Sequence, residues 1–447
     1  MQWDIPAPVR LVLDRLEENG YAAYVVGGCV RDLLMGRAPH DWDVTTSARP
    51  EETKAVFSDL RVIETGLKHG TVTVRVDDRN VEVTTFRIDG AYTDARHPDS
   101  VTFSDRVEED LARRDFTVNA MAYSPKRGLV DAFDGRGDLE KKVLRCVGDP
   151  DERFGEDALR ILRAARFAAT LGFSIAPEVA EAMQDRALSL TRISAERVAS
   201  ELLKLLRGKD AERVLVEQAD VICTVVPELR LLRGFEQKGA MYDCDAYTQT
   251  ARCVGAMERD ALLRLAMLLL HCGKPATHVY DAQGNSVYKN LYAVSGVIAQ
   301  NVLRRLKLSN DMIFGVSTLI VACGKPIPDT RKRVKQDMNE LGELNYVRLM
   351  KIKRAEAASF VKGTYDISDK LLFAYRQFDE VLVCDEPYTL KTLAVTGRDV
   401  RRFCKTPEGV GQTLQLLLDA VLDDPAKNER ETLIRLAKEI NDTAEPA

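Results

Sequence analysis

Residues 21–46, YAAYVVGGCVRDLLMGRAPHDWDVTT, leave this chain few ways to fold. YAAYVV is a short apolar run of strand composition, Gly27-Gly28 follows at once, VRDLLMG reads as a short helix, and DWDVTT reads as a second strand. Such close alternation predicts a small α/β layer. MQWDIPAPVRLVLDRLEENG at the start reads as an amphipathic helix, and RPEETKAVFSDL (49–60) as another, started by Ser47 and Pro50. GTVTVRV (70–76) and VEVTTFR (81–87) alternate with period two, and Asp77-Asp78-Arg79-Asn80 between them has hairpin-turn composition. Residues 88–105 are polar and turn-rich and read as a flexible loop.

After about residue 142 the texture changes. EDALRILRAARFAATLGF (156–173) has helical spacing, and the rest reads as helix with short breaks near Pro227, at 273–285, at Pro326 and Pro328, and around 384–387. A chain of 447 residues exceeds one ordinary core. The expected class is α+β: a small α/β head at 1–142, then an elongated all-helical remainder divided at 143–207, 208–325 and 326–447.

Composition narrows the function classes. No apolar run approaches the roughly 18 residues of a membrane span, and the N-terminus has no leader pattern, so a cytoplasmic protein is expected. Nine cysteines are scattered with no C-x-x-C, which favours reduced, packed thiols over a disulfide framework or zinc site. A net charge of −5 argues against a broad basic coat but leaves room for local basic grooves.

The chemistry-bearing residues cluster early. Gly27 and Gly28, between strand and helix, let a ligand approach the backbone, the helix start offers N–H groups to phosphate, and Arg31 adds donors. The same residues would equally serve a tight turn. On a strand, Asp41 and Asp43 share one face while Trp42 points into the core. Two carboxylates held together suit Mg²⁺ escorting a nucleoside triphosphate; the alternative is a solvated strand end. Glu82, on VEV, is a third candidate carboxylate or an outward strand residue.

GG-x-VRD followed by D-x-D resembles the signature of nucleotidyltransferases related to DNA polymerase β. YVVGGCVRDLLMGRAPHDWDVTT, EEDLARRDFTVNAMAY (108–123), DPDERFGEDALRILRAAR (149–166) and SAERVASELLKLL (194–206) resemble the class II tRNA nucleotidyltransferases, the CCA-adding enzymes, and their relatives the bacterial poly(A) polymerases. The resemblance is close over roughly the first 210 residues. It implies a polymerase-β-like catalytic head, a helical neck that selects the base, a helical body and a tail that holds tRNA. It implies catalysis by Asp41 and Asp43 with Glu82, two Mg²⁺ ions at Asp41 and Asp43, CTP and ATP as substrates, and a tRNA lacking all or part of its 3′ end as acceptor. The 3′-hydroxyl would attack the α-phosphorus and release pyrophosphate, with no nucleic-acid template.

Two further motifs then acquire roles. The family places ribose and triphosphate contacts on the motif that falls here on Arg114 and Asp115, with Asn119 helping to orient them. In Glu156-Asp157-x-x-Arg160-x-x-Arg163, positions three apart share a helix face, so Asp157 and Arg160 would present an acceptor beside a donor. Cytosine and adenine both carry an exocyclic amine beside a ring-nitrogen acceptor, whereas uracil and guanine present the reverse. This is the family's way of reading CTP and ATP. Arg163 is expected to reach phosphate or brace Asp157. Residues 87–97 carry the family-like loop pattern Arg87, Asp89, Tyr92, Asp94 and Arg96, with His97 where a basic residue is usual.

LLRLAMLLLHCGKPATHVYDAQGN (262–285) is similar to a segment of the HD phosphohydrolases, but the pair is His271-Cys272, so hydrolase activity is not expected. Arg304, Arg305 and Lys307, then Arg331, Lys332, Arg333 and Lys335, then the run from Arg348 to Arg354, are candidate RNA-phosphate contacts or solvated faces. LKTLAVTGRDVRRFC (390–404) resembles the family's tail. The rival readings are a half-enzyme that adds only CC or only A, a bacterial poly(A) polymerase and an inactive RNA-binding protein.

Overall fold

The structure is a computed structural model that describes residues 3–90 and 100–442. The chain folds as two compact units, Met1–Arg230 with Arg305–Leu308, and Leu231–Arg304 with Ser309–Ala447.

The first unit begins with α1 (Ala7–Glu18), whose Val9, Val12, Leu13 and Leu16 are buried at the spacing of a single helix face. Next come β1 (Ala23–Val26), α2 (Gly28–Leu34), β2 (Asp43–Thr46), α3 (Pro50–Val56), β3 (Arg61–Gly66), β4 (Thr71–Val76) and β5 (Arg79–Thr85). A short hairpin, β6 (Arg87–Asp89) and β7 (Val101–Phe103), precedes α4 (Val107–Ala112), β8 (Ala122–Ser124) and β9 (Gly128–Val130). One mixed sheet runs β3-β4-β5-β2-β1-β8-β9. Only β2 and β5 pair in parallel within it; the other neighbours are antiparallel. β1 is buried along its length, and α1 and Trp42 belong to the core cluster that includes Val25, Val44 and Val83.

Several expectations need correction. β2 starts at Asp43, so Asp41 and Trp42 form its approach rather than its first residues. β3 follows α3 as an edge strand that the sequence pattern did not predict. Residues 88–105 are not all loop, because β6 and β7 pair across them.

The helix expected at 156–173 is broken. After α5 (Gly135–Lys141), α6 (Pro150–Glu156) ends at Asp157, whose backbone is extended at φ −144° and ψ 103°, and α7 runs Leu159–Phe167 into a wider π turn at Ala168–Gly172. The cause is local: the Asp157 carboxylate takes the Leu159 N–H at 3.0 Å, as aspartate does at a helix start. α8 (Pro177–Asp185) and α9 (Ala195–Leu206) complete the helices that bear on the site. The remainder is not wholly helical either: Val143–Leu144 pairs in parallel with Ser174–Ile175, and His278–Tyr280 with antiparallel Ser286–Tyr288.

The second unit is built on helices, several started by a side-chain cap such as Asp245, Asp260, Ser309 or Thr330. Leu393, Val400, Leu417, Val421 and Leu433 form a small separate core near its end. A polar cluster lies inside it. Lys274 Nζ donates to Gln237 Oε1 at 2.6 Å and to Gln249 Oε1 at 2.5 Å, over the rings of Tyr242 and Tyr288. His271 is fully buried between Thr250 Oγ1 (3.1 Å) and Glu356 Oε1 (3.3 Å), and Tyr292 O–H donates to the same carboxylate at 2.9 Å. No described helix is long and apolar enough to cross a membrane.

Burial, reinforced by the Lys274 charge, lowers the His271 pKa to about 4. The unfolded chain therefore takes up this proton first as pH falls below about 6.5. His271 contributes full stability above that value and loses it on the way to pH 4. The unfolding free energy from urea titration should fall between pH 6.5 and 4.5, on the order of 1–3 kcal/mol of that loss being due to His271. The slope should be shallower in His271→Gln.

Candidate active site

The parallel register sets Asp43 directly beside Glu82, with Val26 opposite on the other side. Paired residues on adjacent strands point to one face at about 4.8 Å separation. Asp41 and Asp43 are exposed on either side of the buried Trp42, and Glu82 is exposed between buried Val81 and Val83. The alternation expected of D-W-D therefore holds although only Asp43 is in the ladder. Groups packed around the Asp43 carboxyl raise its pKa by desolvation, Glu82 and Asp41 add to this by like-charge repulsion, and Arg114 opposes them. Among the described residues no three ligating side chains are already closed around a cation position. The donor set is nonetheless right for a hard divalent ion: carboxylate oxygens on one face, repelling one another, with open positions for phosphate oxygens and water.

The glycine turn lies beside this set. Gly27 has φ +79° and ψ −126°, open to glycine and strained for other residues, and donates its N–H to Met121 O at 3.0 Å. A methyl group on Gly27 would come within 3.0 Å of Arg114 Nη1, and one on Gly28 within 3.7 Å of Arg31 Nη2. Only at Gly27 is the approach tight enough for the missing side chain to keep space for an arginine; the Gly28 contact is an ordinary one. The Arg31 fork is already engaged, Nε and Nη2 on Asp32 Oδ1 and Nη1 on Asn119 Oδ1 at 2.7 Å. Asn119 passes the connection on, donating to Asp115 Oδ1 at 3.3 Å.

Asp115 is buried and accepts from Arg163 through Nε at 2.8 Å and Nη2 at 2.5 Å, and from the Phe116 N–H at 2.9 Å. Burial alone would raise its pKa; Arg163, Arg160 and Asn119 outweigh that and hold it below the usual carboxylate range. Arg163 therefore braces Asp115, where the sequence offered phosphate or Asp157 as its partner. The Phe167 ring lies under the guanidinium groups of Arg31 (5.4 Å), Arg163 (5.5 Å) and Arg166 (3.5 Å), and Arg166 pairs with the buried Glu201 on α9 at 2.8 Å.

Asp157 and Arg160 do not share one helix face, because the break between α6 and α7 separates them. They still meet in space. An open cleft of about 270 Å³ is lined by Arg113, Arg114, Asp115, Asp157, Leu159, Arg160, Arg163 and Arg197. Arg197 Nη2 donates to Asp157 Oδ2 at 2.6 Å. Arg160 is bound by Glu156 and donates from Nη2 to Arg113 O at 3.2 Å. Sequence reasoning missed Arg197, forty positions from its partner with nothing local to connect them. It also missed Asp110, which precedes Arg113 and Arg114 at the three- and four-residue spacing of a helix, a signal that was available.

Most members of the basic clusters sit on the surface in ion pairs. Arg305 pairs with Glu228, Lys307 with Glu196, Arg331 with Glu380 and Glu386, Lys332 with Asp423, and Arg333 with Asp337. Lys335 is buried against Glu386. Their charge is largely compensated within the protein, whereas Arg304 is exposed. Arg87 and Asp89 pair at 2.9 Å, while Tyr92, Asp94, Arg96 and His97 lie outside the described residues.

Residues 23–145 match the family model described as Poly A polymerase head domain, and residues 172–228 match that of a probable RNA and SrmB-binding site of polymerase A. The CCA-adding enzyme of Pediococcus pentosaceus is 32% identical over 437 residues, 96% of this chain and 97% of the relative. The chain belongs to the CCA-adding enzyme family. The CCA-adding enzyme of Limosilactobacillus fermentum is 49% identical over 213 residues; that match spans about half of each protein, 48% of this chain and 53% of the relative. The crystal structure of the Bacillus stearothermophilus CCA-adding enzyme in complex with CTP superposes with a TM-score of 0.70 at 30% identity, covering 98% of this chain and 99% of that one. That of the Thermotoga maritima enzyme, at 20% identity and a TM-score of 0.57 over 98% and 96% of the two chains, shares the fold. The expected α+β class with a nucleotidyltransferase head is the one observed.

Gly27→Ala tests the glycine turn. The positive φ should cost about 1–2 kcal/mol in thermal or urea unfolding, and the added methyl should push Arg114 aside. Nucleotide affinity by calorimetry should fall at least ten-fold with the circular dichroism spectrum unchanged.

Proposed function

We propose that this chain is a cytoplasmic tRNA nucleotidyltransferase that builds or repairs the 3′-terminal CCA of tRNA from CTP and ATP. The observation that carries the reading is the meeting of Asp43 and Glu82 across the parallel ladder of the head sheet, beside a glycine turn crossed by Arg114. The CTP complex of the Bacillus stearothermophilus relative supports it. The working map is a head at 1–142, a base-selecting neck at 143–207, a body at 208–325 and a tRNA-binding tail at 326–447.

Asp41 and Asp43 would hold Mg²⁺, in a two-ion arrangement, with Glu82 beside them. When bound, Mg²⁺ supplies Lewis acidity toward the attacking 3′-hydroxyl and the departing pyrophosphate. The chain's own residues do the positioning. Gly27 and Gly28 let the triphosphate approach the backbone while Arg31 and Arg114 add donors. Asp115, held by Arg163 and Asn119, accepts from the ribose. Asp157 accepts from the exocyclic amine of cytosine or adenine, and Arg160 donates to the neighbouring ring nitrogen. Arg197 holds Asp157 and Glu156 holds Arg160 at the cleft both residues line, which supports this reading. UTP or GTP would leave both groups facing like partners, at about 1–3 kcal/mol per unmatched group.

In the tail, Arg398, Arg401, Arg402 and Lys405 are exposed, and Asp399 among them is taken up by Arg430 at 2.6 Å. This local surplus, with Arg304, fits RNA phosphate better than the paired clusters do.

The deciding assay is incubation of a tRNA lacking its 3′ end with CTP, ATP or both. Two added nucleotides with CTP and three with both are expected. Addition of A alone would mark a half-enzyme, and long A runs would favour the poly(A) polymerase reading that the head-domain match also permits. Asp43→Asn should lower incorporation by about 10³-fold or more while tRNA affinity in a filter-binding assay stays within about two-fold; retained incorporation would remove the catalytic assignment. Arg160→Ala should weaken discrimination against UTP and GTP by about ten-fold. Steady-state kinetics with each nucleotide measures this, and unchanged selectivity would refute the reading edge.

A further inference from the structure

Asp110 is fully buried on α4, yet it is an ionised carboxylate serving three partners. Desolvation opposes the charge, and Arg114 and Arg113 outweigh it, holding the group below the ordinary range. Its two oxygens are used unequally. Oδ1 takes both Nε (2.9 Å) and Nη2 (2.7 Å) of Arg113, a closed two-point pair. Oδ2 takes a single longer bond from Arg114 Nη2 at 3.3 Å and another from Thr45 Oγ1 at 3.2 Å.

The consequences for the two arginines diverge. Arg113 also reaches Asp89 at 3.8 Å, so two carboxylates compensate its charge. Arg114 has only half of one oxygen. Its Nε is buried with no hydrogen-bond partner, and Nη1 lies where a side chain on Gly27 would be. An unpartnered buried donor costs free energy unless a ligand supplies the acceptor. The Thr45 hydroxyl, two residues beyond Asp43 on β2, lies between Asp110 Oδ2 and Thr84 O on β5 (3.1 Å) and shares its one hydrogen between them. The same carboxylate thus connects the strand that carries Asp43 to the arginine that faces the glycine turn.

We propose that Asp110 is a positioning residue of the triphosphate site: it locks Arg113 into the framework and leaves Arg114 aimed, with unused donors, at the phosphates of the bound nucleotide. The proposal rests on the nucleotidyltransferase reading above. Its signature is selectivity for the triphosphate tail. Loss of a merely structural carboxylate would weaken ATP and AMP binding alike. Loss of a positioning carboxylate weakens ATP alone.

The test uses the full chain and calorimetric titration with ATP and AMP. Wild type should bind ATP well above AMP; failure to bind ATP overturns the nucleotidyltransferase reading itself. Asp110→Asn keeps the shape and loses the charge. It should reduce ATP affinity about ten-fold and AMP affinity less than two-fold, and raise KM for ATP more than it lowers kcat. In an Arg114→Ala background the same substitution should change ATP affinity less than two-fold, because the two residues act as one unit. Equal losses for ATP and AMP, or full additivity with Arg114→Ala, overturn the proposal. If Asp110→Asn does not fold, Thr45→Val decides. Removing that donor should lower the ATP-to-AMP preference at least two-fold at an unchanged melting temperature, and an unaltered preference overturns the proposal.

Discussion

Two carboxylates stand side by side on neighbouring strands, and the head is arranged around keeping them there. Asp43 and Glu82 repel, and Asp41 adds to the repulsion. A sheet accepts such a pair only if its register is fixed by something stronger. Here Val44, Val81 and Val83 bury the opposite face, and a slip of one residue would turn the carboxylates inward and the valines out. The hydrophobic core therefore enforces an electrostatic conflict at the surface. A cation and a polyphosphate together would resolve it.

Around that point the protein uses arginine in two ways. Some guanidinium groups are spent on structure: Arg113 on Asp110, Arg163 on Asp115, Arg197 on Asp157, Arg166 on Glu201. Each fixes a carboxylate or is fixed by one. Fewer remain with donors to offer. The same division runs through the basic run at 331–335 of the second unit, whose charge is answered internally, while Arg398, Arg401, Arg402 and Lys405 are exposed. A count of lysines and arginines in sequence cannot make this distinction, since it depends on which carboxylates fold against them.

Much of the head was legible because its signals are local. Gly27-Gly28, the alternation in D-W-D and the period-two runs at 70–76 and 81–87 each depend on neighbours within a few residues, and they place β1, α2, β2, β4 and β5 correctly. The carboxylate partner of β2 was legible too, through Glu82. What failed was decided by distant or competing contacts. The helix through 156–173 has good helical spacing, but Asp157 prefers to cap α7 and take Arg197 from α9. For Arg163 the sequence offered phosphate or its nearest acidic neighbour, Asp157, whereas Asp115, buried and forty-eight positions away, takes it. β3 lies at the sheet edge, where its pairing with β4 rather than its own pattern defines it.

Phe167 sits where three of these arginines converge, one from the glycine-turn helix and two from α7. Through this ring α7 touches Arg31, which donates to Asn119, which in turn donates to Asp115. Under the proposed roles, the residues that read the base and the one that accepts from its sugar are joined by this chain of contacts, so a misfitting base would be felt at the ribose before any bond is made.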